Sequence, residues 1–177
     1  MSFLTVDFET YYSNEVGFKK QTTEEYIRDP QFEVIGVAVS VDGGEPTWFS
    51  GDKDATKLWL SQFNWEESAV LCHNAMFDGA ILEWFFDIHP AFYYDTLCMA
   101  KALHGVDAGG SLATLAERYQ LGQKGTEVTN AIGKHRNDFS VDALCEYGRY
   151  CANDVRLTFN LFTALSVGFP TVEYQLI

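Results

Sequence analysis

A chain of 177 residues holds enough apolar sequence for one sizeable core and is short for two, so a single domain over 1–177 is expected. Apolar residues at 47% and charged residues at 21% are globular values, which excludes a disordered or fibrous class. A net charge of -13 excludes a protein that grips nucleic acid by non-specific electrostatics alone, because phosphate binding depends on Lys and Arg displacing counterions. The start, Met1-Ser2-Phe3-Leu4-Thr5-Val6-Asp7, lacks the basic flank and apolar core of a signal peptide, and no stretch approaches a membrane span. Cys72, Cys98, Cys145 and Cys151 form no C-x-x-C pair, so they are expected to be reduced and mostly buried in a cytoplasmic protein.

In chain order, Phe3 to Phe8 reads as a strand, and Glu33 to Val41 as a longer one expected at the sheet centre. Asp42-Gly43-Gly44 is a tight-turn signal, and Pro46 to Phe49 reads as the returning strand of a hairpin. Lys53 to Phe63 has helical spacing, Ala69 to Cys72 is a short buried strand, and Met76 to Phe86 is a second helix. Phe92 to Tyr94 is a strand followed by a helix over Thr96 to Leu103 that Asp95 can cap. This alternation builds parallel strands, so the class is α/β with a mixed sheet. Ser111 to Tyr119 starts a further helix with Ser111 as its cap. Residues 121–137 are polar and glycine-punctuated, the signature of a loop. Val141 to Leu165 then forms a long helix with Leu144, Tyr147, Cys151, Val155, Phe159 and Phe162 three or four apart.

Three short stretches carry the chemistry. Asp7 and Glu9 are two apart on a strand and therefore share a face, where both carboxylates can meet one or two cations. The spacing alone is commonplace, since Asp52 and Asp54 repeat it in a turn. Asn74 stands where a helix cap belongs, and Asp78 lies one turn deeper among apolar neighbours, where a lone carboxylate costs burial energy unless paired or bound to metal. Tyr150 and Asp154 are i and i+4 on the last helix, so they share a face. Four carboxylates and a phenol suit two-metal phosphodiester hydrolysis, with oxygen ligands of the kind that Mg2+ prefers. Aromatic faces at Phe8, Tyr11 and Phe77, with Met76, are candidates to stack on bases. Lys134, His135 and Arg136 form the one tight basic cluster.

Taken together, these stretches resemble the DEDDy class of 3′-to-5′ exonucleases, most closely the proofreading exonuclease domain of phage-type family A DNA polymerases. The resemblance rests on Asp-x-Glu-Thr at Asp7, Glu9 and Thr10, Asn-x-x-Phe-Asp at Asn74, Phe77 and Asp78, and Tyr-x-x-x-Asp at Tyr150 and Asp154. It extends to His73, to Tyr94-Asp95-Thr96-Leu97 and to Lys124-Gly125. It implies a ribonuclease H-like fold with about five strands. It also implies that Asp7, Glu9, Asp78 and Asp154 hold two Mg2+ or Mn2+ ions while Tyr150 orients the attacking water. Phe8, Thr10, Asn74 and Phe77 would contact substrate, a single-stranded or frayed DNA 3′ end. A polymerase domain or subunit is the implied partner, and the apolar ending Val172 to Ile177 fits a chain that docks onto one. An RNA 3′-processing exonuclease of the same fold is the alternative, because the carboxylates do not distinguish the sugars. A catalytically idle scaffold domain of a replication complex is the other, and no ligand position is lost that would favour it.

Overall fold

The computed structural model describes residues 1–125 and 131–175. Five strands form one mixed sheet in the order β3-β2-β1-β4-β5. β1 (Ser2–Thr10), β2 (Val34–Val41) and β3 (Thr47–Phe49) are antiparallel neighbours, and Asp42 and Gly43, both at positive φ, turn the chain from β2 towards β3. β4 (Ser68–Cys72) and β5 (Phe92–Asp95) continue the sheet in parallel on the other side of β1. The centre is therefore β1, not β2. The unbroken apolar run of β2 arises because both of its faces are covered, one by the main core and the other by the last helix, which leaves Val34 to Ser40 buried throughout.

The helices are α1 (Thr23–Ile27), α2 (Lys53–Leu60), α3 (Ala75–Ala80), α4 (Thr96–His104), α5 (Leu112–Arg118) and α6 (Val141–Ser166). Their starts follow local chemistry. Asp52, Asp95, Ser111 and Ser140 each accept a bond from a first-turn amide, and Thr22 and Glu25 complete a reciprocal capping box at α1. The helix expected over Met76 to Phe86 is split: α3 widens into a π-helical turn at Ile81–Phe86, ended by Asp87 in the left-handed region. The widened turn still buries Ile81, Leu82 and Phe86 completely.

Leu4, Val6 and Phe8 of β1 enter the main core beside Leu60, Ile81 and Phe86. A second apolar cluster joins Met99, Leu115, Leu161 and Leu165 from α4, α5 and α6. All four cysteines are free, but only Cys72 and Cys151 are buried; Cys98 and Cys145 are exposed on helix surfaces, against the expectation of mostly buried thiols. Of the 121–137 loop, residues 126–130 lie outside the described residues, as do Leu176 and Ile177 at the end. Among the described residues no helix is long and apolar enough to cross a membrane.

Candidate active site

The site lies where the C-terminal part of β1 meets α3 and α6. Because side chains alternate along a strand, Leu4, Val6 and Phe8 supply core while Asp7 and Glu9 project from the opposite face. The β1–β2 register shifts between Glu9 and Thr10, an irregularity of the kind that re-aims side chains near active sites. Gly36, the register partner of Glu9, leaves room for the Trp48 ring, which would meet an added Cβ at 2.3 Å.

α3 delivers Asp78, which is 4% exposed and whose Oδ1 accepts the Phe8 N–H at 3.0 Å. A carboxylate of α3 is thus tied to the strand backbone between Asp7 and Glu9. Asn74 does not cap α3 as its position suggests. Its side chain makes no capping bond; its backbone adopts the left-handed conformation (φ 76°), tolerated by Asn, and its N–H donates to Asp95 Oδ1 at 3.0 Å. Asp95 Oδ1 also caps α4 through the Leu97 N–H at 2.8 Å, so one carboxylate fixes two helix starts. His73 bridges Thr96 Oγ1 and the Gly110 carbonyl, each at 2.8 Å, a half-buried structural tie.

α6 brings Tyr147, Tyr150, Cys151 and Asp154 to the same place. The Cys151 thiol donates to Asp7 at both its backbone O and Oδ2, each at 3.2 Å. Asp7, Glu9 and Cys151 offer ligand atoms all within 4.8 Å of one another. The Tyr147 phenol lies close enough to Glu9 for the two to interact, short of full hydrogen-bond geometry. Asp154 is 2% exposed; its Oδ2 pairs with Lys124 Nζ at 2.6 Å, and its Oδ1 is buried with no full hydrogen bond among the described residues, although the Tyr150 phenol lies close enough to Asp154 to interact. Lys124 Nζ also lies 5.4 Å from the centre of the Tyr150 ring.

Burial dominates the electrostatics. It pushes Asp7 up to about 7, with the Asp154 charge adding to it and the Cys151 thiol opposing it. Burial and then the Asp7 charge hold Glu9 and Asp78 well above the ordinary carboxylate range. Asp154 is raised by burial although Lys124 pulls it down. Burial and the Asp154 charge also raise the Tyr150 phenol, which keeps its proton at neutral pH. Lys124 is lowered by burial but raised further by Asp154 and Tyr150, so it stays an ammonium. Four desolvated carboxylates against one ammonium among the described residues form a site short of positive charge. The four carboxylates, one with a buried oxygen that makes no full hydrogen bond among the described residues, fit a hard divalent cation, while the neighbouring Cys151 thiol is occupied in donating to Asp7.

Of the substrate candidates, Phe77 is half-buried at the site edge, packed on Phe18 and parallel to Tyr26, and Asn74 is exposed. Thr10 is buried, its hydroxyl 2.9 Å from Tyr26 Oη. The Phe8 ring instead points into the core against Phe86, so only its N–H reaches the site. Tyr11 is likewise buried, stacked on His135 at 4.0 Å, while Met76 is exposed. The basic cluster is turned inward in part, with the His135 ring and the Arg136 N–H both bound to Glu33. Sequence reading missed the Cys151 and Tyr147 contacts and assigned no role to Lys124; helical spacing from Asp154 places both α6 residues near the site's face, but the contact with Asp7 spans 144 positions.

Residues 6–168 match the family described as 3′-5′ exonuclease, and the chain belongs to that family. It is accordingly a 3′-to-5′ exonuclease of the DEDD type, a hydrolase, with the ribonuclease H-like fold. Solved structures agree in fold. Brucella melitensis NrnC superposes with a TM-score of 0.65 at 15% identity, covering 93% of this chain and 72% of that one. The Trypanosoma brucei RNase D complex with RNA U12 gives 0.66 at 17% over 96% of this chain. The catalytic core of Trypanosoma brucei RRP6 gives 0.65 at 14% over 92%. This chain spans only 57% of that RNase D and 40% of that RRP6. No curated protein matched in sequence.

Proposed function

We propose that the chain shortens single-stranded or frayed nucleic acid from the 3′ end, releasing nucleoside 5′-monophosphates, with Asp7, Glu9, Asp78 and Asp154 as ligands for two Mg2+ or Mn2+ ions. The observation that carries this is Asp154 Oδ1, without a full hydrogen bond among the described residues and buried among carboxylates that burial and mutual repulsion already burden. Bound divalent ions supply Lewis acidity, which lowers the pKa of the attacking water and stabilises the leaving oxygen. Tyr150, protonated at neutral pH, orients that water rather than taking its proton. The Phe8 N–H and the Cys151 thiol hold Asp78 and Asp7 in place so that little reorganisation is needed on binding. Phe77 supplies an aromatic wall beside Asp78, and Asn74 is exposed just before α3, whereas Thr10 is buried with its hydroxyl on Tyr26.

DNA is the first substrate reading, with proofreading beside a polymerase domain as its setting, because the three motifs resemble that branch most. RNA is the second, favoured by solved neighbours that include RNase D with RNA U12 and NrnC bound to pGG. Cytoplasmic location accords with free thiols at all four cysteines. The test is a 5′-labelled pair of DNA and RNA strands of one sequence, each incubated with Mg2+, Mn2+ or chelator and with Asp7→Ala as the blank. A metal-dependent ladder from the 3′ end that disappears in Asp7→Ala is expected, faster on DNA. A faster RNA ladder transfers the assignment to RNA processing, and a ladder surviving Asp7→Ala overturns the site.

A further inference from the structure

We propose that Tyr147 is a positioning residue that sets which cations the site accepts, its phenol holding one oxygen of Glu9 so that the other faces the ion, an arrangement that favours Mg2+ or Mn2+ over Ca2+. This deepens the metal-dependent reading and rests on it.

The placement follows from matched repeats. The Cys151 thiol donates to Asp7 Oδ2 at 3.2 Å. Four residues back along α6, Tyr147 lies on the same helix face about 6 Å away; two residues on along β1, Glu9 shares the strand face of Asp7 about 7 Å away. Helix and strand therefore set Cys151 against Asp7 and Tyr147 against Glu9. Only the first of these two contacts is a full hydrogen bond.

Tyr147 is 5% exposed, and its ring is held by Phe139, stacked at 5.6 Å, and by Trp48 at 6.4 Å. Trp48 is seated in turn by two glycines, since an added Cβ at Gly36, the register partner of Glu9, or at Gly148, next to Tyr147, would overlap its ring. Packing thus fixes the direction of the Tyr147 ring, with the phenol towards Glu9. A donor placed in advance loses little freedom when it is used.

The phenol is also unspent. Tyr147 Oη is buried and makes no full hydrogen bond among the described residues. A buried hydroxyl in that state costs stability, and a phenylalanine here would pack as well without the cost. When Glu9 turns one oxygen to an ion, its other oxygen completes the bond with Tyr147. Burial and then the Glu9 charge hold the phenol above its ordinary range, so it keeps its proton and acts as a donor.

A carboxylate with one oxygen committed to a phenol offers a cation a single oxygen. Mg2+ accepts this readily, because it takes few protein oxygens in a strict octahedron and keeps several waters, and Mn2+ shares the octahedral preference. Ca2+ takes about six to eight oxygens and often uses both oxygens of a carboxylate.

The test measures Mn2+ binding to the full chain by electron paramagnetic resonance of the free ion, and Ca2+ binding by competition, beside melting curves. Tyr147→Phe keeps the ring and removes the donor. Its Mn2+ dissociation constant should rise about tenfold, and Ca2+ binding should weaken less, so that the preference for Mn2+ narrows. The metal-free melting temperature should stay level or rise, an outcome that a merely structural phenol would not give. In a Glu9→Ala background, Tyr147→Phe should change Mn2+ binding no further, because the phenol then has no carboxylate to hold. Unchanged Mn2+ binding in Tyr147→Phe, Ca2+ weakened in the same proportion as Mn2+, or a loss that persists without Glu9 would each overturn the role while leaving the metal site standing. If Asp7→Ala binds Mn2+ as tightly as the parent, the carboxylates are not the metal site, and the reading and this inference fall together.

Discussion

The two ends of α6 are packed on opposite terms. In the C-terminal half, Leu157, Leu161 and Leu165 meet Met99, Leu112 and Leu115 with apolar groups on every side. In the N-terminal half, the same helix sets Tyr150, Cys151 and Asp154 against Asp7, where burial holds the carboxylates above their ordinary range. Burying a leucine contributes roughly 1.5–3 kcal/mol, while desolvating a carboxylate without a full set of partners opposes folding. The apolar end therefore anchors the helix, and the anchored helix holds a strained charge cluster in place. Stability and chemistry have been given to different turns of one element.

Exchanging one residue from each end should separate the two roles. Asp78→Asn keeps the shape and the acceptor for the Phe8 N–H but removes a charge beside Asp7. We expect hydrolysis to fall by on the order of 10³-fold or more, the loss that follows from the proposed role of Asp78 as a metal ligand. The metal-free melting temperature should stay level or rise, and the increase on adding Mn2+ should shrink. Leu161→Ala should do the reverse, losing about 2–5 kcal/mol of stability while metal-dependent turnover below the melting point survives. Parallel melts and rate assays decide; a marked stability loss in Asp78→Asn would show that its carboxylate is an ordinary structural acceptor.

The next effect is a pH dependence of folding. Asp7 moves from 3.8 up to about 7 through burial and then the Asp154 charge, so the folded chain binds more protons than the unfolded chain between those values. Stability without metal should therefore be fullest below about pH 4 and decline as the pH rises to about 7. Melting curves in chelator should show this slope, Asp7→Asn should flatten it, and Leu161→Ala should leave it intact. A stability that climbs over the same interval would mean that these carboxylates are favourably paired.

Much of this contrast is legible in the chain. The alternation of Val6, Asp7, Phe8 and Glu9 fixes which side chains leave the core, and the i, i+4 spacing of Tyr150 and Asp154 places both on one helix face. The capping residues Asp95 and Ser111 also act as their positions suggest. What escapes is set by distant or backbone-specific contacts. The left-handed Asn74 is decided by the pull of Asp95, 21 positions away, on its N–H. The π turn after Ala80 keeps the same apolar residues buried, so hydrophobic spacing does not reveal it. Short α1 lies in the unassigned stretch between β1 and β2, where Thr22 and Glu25 carried a capping-box signal. Phe8 looked like a base platform because an aromatic beside two carboxylates can serve either purpose; strand parity assigns it to the core.

The smallest effect falls on Tyr150, at the boundary between the two ends. Its phenol is raised by burial first and the Asp154 charge second, with Lys124 opposing, so it remains protonated through the neutral range. A protonated phenol can donate to or position a water but cannot remove its proton. Tyr150→Phe should therefore cost about tenfold in rate, below the 10²–10⁴-fold typical of a lost general acid or base. Its ring should continue to pack beside Tyr147, leaving stability nearly unchanged. The pH–rate profile should shift down without losing a limb. If instead the variant loses more than about 10³-fold and a pH limb vanishes with the hydroxyl, then Tyr150 takes the proton itself, and the charge cluster tunes a base as well as holding metal.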